Sequence, residues 1–147
     1  MRIVCRVAGA LLLGAVFAGS QPPELPVGLF QSHGDIGVTP KTGTVEFSGG
    51  EYRVTGGGAN IWAAQDAFQF AWKKMSGDIS LSADVHFVGA GAVAHRKAVL
   101  MIRQDLSPGS PYVDIALHGD GLTSLQYREE PGGQTKEIRS TLNGPAH

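Results

Sequence analysis

Eight side chains stand out for the chemistry their types allow: Trp62, Arg103, Gln104, Tyr112, Asp114, His118, Gln126 and Arg128. Aromatic faces stack on the C–H surface of a sugar ring, and planar polar groups hydrogen-bond its hydroxyls, so the set is suited to gripping a carbohydrate. Spacing sorts most of them onto one surface. Tyr112, Asp114 and His118 share a parity on an extended segment, opposite Val113, Ile115 and Leu117, and Gln126 and Arg128 lie opposite Leu125 and Tyr127. Arg103 and Gln104 are adjacent, so one of them turns to the other face unless a bulge intervenes. These polar faces are expected to carry the ligand, with Trp62 delivered to the rim by a glycine-flanked loop.

Catalysis finds no comparable pattern. Retaining glycoside hydrolysis needs two carboxyl groups roughly 5 Å apart on one surface. Glu129 and Glu130 are adjacent and point to opposite faces of any strand, and Asp114 has no acidic neighbour two residues away. Serine and histidine occur without a Gly-x-Ser-x-Gly elbow, and His33, His86, His95, His118 and His147 lie at spacings that make no local ligand pair. Asp66, Asp105 and Asp120 are of the type that calcium prefers and would have to converge from separate loops. No catalytic or metal residue is assigned, and calcium is the one cofactor left open.

The elements that must position these residues read as strands. Lys97 to Gln104, Tyr112 to Leu117 and Leu122 to Arg128 are separated by Ser107-Pro108-Gly109-Ser110-Pro111 and by Gly119-Asp120-Gly121, which predicts an antiparallel meander. Upstream, Leu29 to Gly37 opens the domain, and Val45/Phe47 and Tyr52/Val54 form a hairpin about Gly49-Gly50. Ile79 to Phe87 alternates most cleanly, with Ile79, Leu81, Ala83, Val85 and Phe87 on one face. Ile61 to Trp72 is ambiguous, since Trp62 to Ala67 suits a helical turn while Phe68, Phe70 and Trp72 recur at the spacing of a strand; loop followed by strand is preferred. About nine strands at short spacing, each with an apolar face to hide, predict an all-β antiparallel sandwich.

Composition bounds the rest. A chain of 147 residues is one domain. Arg2 and Arg6, the apolar run Val7 to Ala18 and the small residues Ala18-Gly19-Ser20 predict an export signal over residues 1–20, and hence a periplasmic or extracellular protein with no membrane-spanning segment after cleavage. Removal of that leader leaves ten basic against thirteen acidic side chains, with Lys73-Lys74 and Arg96-Lys97 as isolated pairs, so no nucleic-acid footprint is present. The one cysteine, Cys5, falls within the leader. The mature protein therefore has no disulfide to lean on. Residues 21–28 read as a Pro-rich linker, and residues 29–147 as the domain.

The order MIRQDL, PGSPYV, Gly119-Asp120-Gly121, LQYR and Gly132-Gly133 resembles the concanavalin A-like (laminin G-like) β-sandwich modules of secreted bacterial proteins. Gly57-Gly58-Ala59-Asn60-Ile61-Trp62, Asp66 to Phe70 and Ser76-Gly77-Asp78 make it most similar to the modules that precede Tol-type biopolymer-transport β-propellers. The resemblance runs from about Gly28 to the C-terminus. It implies a jelly-roll fold and either of two functions: a noncatalytic module recognising a carbohydrate or cell-envelope glycan, or a docking domain packed on a downstream propeller. Hydrolases of this fold carry a Glu-x-Asp-x-x-Glu cluster, which this chain lacks. Such modules also continue with further strands, so the chain reads as truncated at its C-terminus, with an unpaired edge and an exposed apolar face as the expected result.

Overall fold

The computed structural model describes residues 2–6, 26–89 and 93–142. Its regular structure is entirely strand, with no helix among the described residues. In order the strands are β1 (Arg2–Arg6), β2 (Ser32–Ile36), β3 (Thr44–Ser48), β4 (Glu51–Thr55), β5 (Asn60–Trp62), β6 (Gln65–Trp72), β7 (Ser80–Asp84), β8 (Lys97–Arg103), β9 (Tyr112–His118), β10 (Thr123–Arg128) and β11 (Lys136–Arg139). They form three antiparallel sheets, ordered β3-β4-β1-β7, β2-β6-β5 and β11-β10-β9-β8. The expected meander is β8-β9-β10, and β11 extends it to four strands.

Local chemistry explains the turns. Gly49 and Gly50 both have positive φ, 59° and 82°, and join β3 to β4 with Ser48 opposite Glu51. That is the backbone of a two-residue hairpin whose twist matches its strands. The ambiguous stretch resolves as a second hairpin, β5-β6, with Trp62 opposite Gln65 and Ala63 at φ 54°. A non-glycine residue there stores strain that its surroundings must offset. The Ala63 carbonyl does receive such support, from Arg128 Nη2 at 2.9 Å and Thr135 Oγ1 at 3.0 Å.

Two clusters make the core. Val45 and Tyr52 pack with Val27, Phe30, Ala71, Leu81 and Ala83, and Ile61, Met101 and Tyr112 pack with Phe68, Phe70 and Val99. The second cluster joins the β2-β6-β5 sheet to the β8–β11 sheet. A cleft of about 1180 Å³ lies between these groups, lined by Phe68, Phe70, Trp72, Leu81 and Met101 among others. Gly58 shows how closely the loop before β5 approaches β6, because a Cβ there would lie 1.9 Å from the Ala67 carbonyl oxygen. Backbone cannot yield as a side chain tip can. Gly58→Ala is expected to cost about 1–3 kcal/mol, as overpacking generally does, read as a lower urea midpoint at unchanged slope.

The structure corrects several expectations. Val27 packs into the first core cluster and bridges to Phe30, so the stretch read as linker contributes an apolar side chain to the core. An apolar side chain beside Tyr52 is drawn in whatever its proline neighbours. β7 is shorter than the alternating run that predicted it, and Ile79 stays partly exposed at its start. Of the leader, Arg2–Arg6 forms β1, antiparallel to both β4 and β7. The apolar run and the cleavage point lie outside the described residues.

The largest correction concerns which face of the meander is covered. Val113, Ile115 and Leu117 were expected to face the core, yet Val113 and Ile115 are exposed while Tyr112, Asp114, Ala116 and His118 are buried. β10 repeats the inversion, with Ser124, Gln126 and Arg128 buried and Leu125 exposed. Alternation distinguishes the two faces of a strand but does not say which one meets a second layer. The layer here is β5-β6, and it brings an aspartate that the arginines of the polar face need.

Candidate functional site

Strand register places the inner face of the β8–β11 sheet in rows. Arg103, Tyr112 and Arg128 form one, and Met101, Asp114, Gln126 and Glu137 the next. Val99, Ala116, Ser124 and Arg139 follow, and Lys97 stands opposite His118 at the far end. Six of the eight residues singled out by type therefore do share a surface: Arg103, Tyr112, Asp114, His118, Gln126 and Arg128. Gln104 turns away into the exposed chain after β8, where its N–H bonds the Pro111 carbonyl at 3.1 Å. Trp62 projects from β5 at the rim and is 37% exposed.

The first row is spent on holding the layers together. Arg128 Nη1 and Nη2 grip the two oxygens of Asp66 at 2.9 and 2.8 Å, both side chains being buried. The remaining guanidinium donors reach the carbonyls of Ala63, Ser110 and Gly133 at 2.9, 3.0 and 3.0 Å. One side chain thus ties β10 to β6 and to three turns. Arg103 Nη1 stands 3.5 Å from Asp66 Oδ2, and the guanidinium lies over Phe68 and Phe70 at 5.4 and 5.9 Å from their centroids. Tyr112 stacks under Arg128 at 5.0 Å and hydrogen-bonds Thr135 Oγ1 at 3.0 Å. Burial pushes its phenol up to about 12, although the Thr135 bond works the other way. None of these groups has donors or acceptors turned to solvent.

The second row is different. Gln126 donates to Ser124 Oγ and to Glu137 Oε1, both at 3.2 Å, and accepts from Lys97 Nζ at 3.1 Å. Lys97 Nζ also donates across the layers to the Ile61 carbonyl at 2.9 Å and sits 5.2 Å from the Trp62 ring centroid. Burial would raise the Glu137 carboxyl, but bonds from Arg139, Gln126 and Ser124 hold it below its ordinary value. Asp114, 2% exposed, has no hydrogen-bond partner for either oxygen among the described residues. Its carboxyl is pushed up to about 7, first by burial and further by Asp66, with the Lys97 charge and the Gln126 backbone N–H pulling it back. His118 Nδ1 donates to the Leu122 carbonyl at 3.0 Å, since a carbonyl oxygen carries no proton and can only accept. Burial lowers its pKa.

No family model, no curated protein and no solved structure matches this chain. The likeness to concanavalin A-like and Tol-type modules rests on the residues quoted for it. The all-β, antiparallel character it implies is present.

Lys97, read from the sequence only as half of an isolated basic pair, and Asp66, read as a possible calcium oxygen, were both missed as interior groups. Parity would have placed Lys97, since it shares a face with Val99, Met101 and Arg103. The three candidate calcium aspartates do not meet. Asp66 is paired with arginine, Asp105 closes its own turn through Ser107, and Asp120 accepts from the Leu122 N–H at 3.0 Å. Among the described residues no group of three or more His, Cys, Asp or Glu is placed to hold a metal ion, and no helix is long and apolar enough to cross a membrane.

The outer face of the same sheet is the surface the molecule offers. Leu100, Ile115, Leu125 and Ile138 form one cross-strand row, and Ile102, Val113, Tyr127 and Lys136 the next. Ile115 and Ile138 are each 58% exposed. At its margin stand the exposed pair Lys136, over the Tyr127 ring, and Glu129.

Proposed function

We propose that the chain is a noncatalytic, extracytoplasmic module of concanavalin A-like type that works as a docking domain, binding a protein partner through the outer face of β8–β11. The observation that carries this reading is the pair of apolar rows spanning all four strands. A soluble domain rarely leaves so continuous an apolar surface without an interaction to cover it. A sheet face of this kind suits packing at about 10 Å against another β-structure, and the resemblance supplies a Tol-type β-propeller as the partner to try. The side chains that would otherwise argue for a ligand pocket, Arg103, Tyr112 and Arg128, are consumed in internal bonds.

The test is calorimetric titration of the chain with a Tol-type β-propeller. Ile115→Lys and Leu125→Lys lie at exposed positions, so the fold is expected to keep its thermal midpoint while the Kd rises at least about tenfold, as for a central interface residue. Undiminished binding by both variants would overturn the docking reading.

A carbohydrate is the second reading, favoured by Trp62 alone. Its partly exposed ring stands at the rim beside Lys97, which bonds Gln126 and through it connects to Glu137 and Arg139. On a glycan array, saturable binding lost in Trp62→Ala would support it. Tyr112→Ala would not serve as a companion test, because a buried tyrosine reports on folding rather than contact.

A further inference from the structure

Lys97 is the atom-level link between the Trp62 end of β5 and the sheet beneath. Its Nζ bonds the Ile61 carbonyl of β5 and the Gln126 amide oxygen of β10, and lies under the Trp62 ring. Gln126 stands directly opposite Asp114 in the register of β9 and β10. Asp114 in turn is buried with both oxygens unpartnered among the described residues. A neutral carboxyl tolerates that setting far better than an ionised one.

We propose that Asp114 and Lys97 form a pH-sensitive latch between β5 and the β8–β11 sheet, closed while the Asp114 carboxyl is neutral and released when it ionises. The ionised carboxylate is a stronger acceptor than either the Ile61 carbonyl or the Gln126 amide, and it is the group most in need of the Lys97 charge. When Nζ turns to Asp114, the Ile61 carbonyl and the Trp62 ring lose their partner. β5 is then held by its pairing with β6 and by the side chain of Ile61.

The other charges around Asp114 do not supply the same response. From β6 it meets Asp66, already gripped by Arg128 of β10 and approached by Arg103 of β8. β5 carries no titratable side chain, and β11 contributes Glu137, bonded to Arg139 and Gln126. On its own strand stand Tyr112 and His118, the latter meeting the ring of His95 edge-on at 5.8 Å. Of the positive groups, Lys97 is the one whose partners are uncharged.

The experiment follows the indole N–H signals of Trp62 and Trp72 in the full chain by two-dimensional NMR from about pH 5 to about pH 9, a window that also spans ordinary histidine titration. The Trp62 signal is identified by its loss in Trp62→Phe. It is expected to shift with a midpoint near the about 7 of Asp114, to stand still in Asp114→Asn, and to rest at its high-pH position throughout in Lys97→Met. His95→Gln and His118→Gln leave the midpoint in place. A Trp62 titration that survives Asp114→Asn, or a Trp62 signal indifferent to pH in the folded chain, overturns the latch. Should Asp114→Asn fail to fold, the carboxyl carbon of Asp114 is titrated in the unaltered chain. A midpoint coinciding with that of Trp62 supports the proposal, and a separate one refutes it.

Discussion

Arg128→Met is expected to destabilise the protein by about 3–5 kcal/mol, the usual result of removing one partner from a buried ion pair. That is a large part of the roughly 5–15 kcal/mol that separates folded from unfolded domains. The loss has two sources. Asp66, buried and stripped of its bidentate partner, is left with Arg103 at 3.5 Å as its nearest cation. The Ser110 and Gly133 carbonyls lose the Arg128 donor as well, and the Ala63 carbonyl, on a residue at φ 54°, keeps only its bonds from Thr135. A double variant, Arg128→Met with Asp66→Leu, is expected to recover only part of the loss, since it removes the orphaned carboxylate but leaves the Ser110 and Gly133 carbonyls without the Arg128 donor. Urea unfolding at fixed pH measures both. Full recovery in the double variant would mean that the carbonyl bonds contribute nothing, and the picture of Arg128 as a tie between turns would fall.

The second large effect is one of pH. The folded state holds the Asp114 carboxyl at about 7 against an ordinary 3.8. A carboxyl whose folded value is raised contributes its full share of stability below the unfolded value. That share is lost as pH climbs from about 4 through about 7, after which the loss levels off. At 1.36 kcal/mol per unit the shift corresponds to a loss on the order of 4 kcal/mol. Asp114→Asn removes this slope, so at pH 8 the variant should be the more stable protein, while near pH 5 the advantage shrinks or reverses. His118 runs in the opposite sense. Its folded pKa is depressed by burial, so the unfolded chain takes up the proton first and stability falls as pH drops below about 6.5. The variant should therefore show a stability that rises with pH where the parent's falls. Urea midpoints at several pH values decide it, and an unchanged downward slope in Asp114→Asn would assign the effect elsewhere.

The strands themselves were legible because period two leaves a local record. Tyr112 to Leu117 and Leu122 to Arg128 read as paired strands, with their candidate residues on a common face, and the pairing of β9 with β10 bears this out. The choice between Arg103 and Gln104 was not legible. It depends on where β8 ends, and the polar Gln104 leaves the sheet there while Arg103 finds Asp66. Nor was the burial of the polar face. Asp66 and Arg128 are far apart in sequence and their pairing follows from the packing of two hairpins, which no periodicity announces. Tyr112, His118, Gln126 and Arg128 looked like a ligand surface for the same reason that they suit an interior: their polar atoms find partners. Lys97 and Asp114 illustrate the converse, since each looks ordinary alone and becomes informative only beside Gln126 and Ile61.

Docking through the apolar rows requires that face of the β8–β11 sheet to be turned outward, and thiol labelling reads this directly. In a Cys5→Ser background, Ile115→Cys places a thiol on the outer face at a residue 58% exposed, and Ser124→Cys places a nearly isosteric one on the inner face at a residue 1% exposed. The account predicts that the Ile115→Cys thiol reacts with a maleimide close to the rate of a free thiol, and that the Ser124→Cys thiol reacts on the order of a hundredfold more slowly, waiting on local opening. Fast labelling at position 124 with protection at 115 would mean that the apolar rows are the covered face, and the docking surface would not exist.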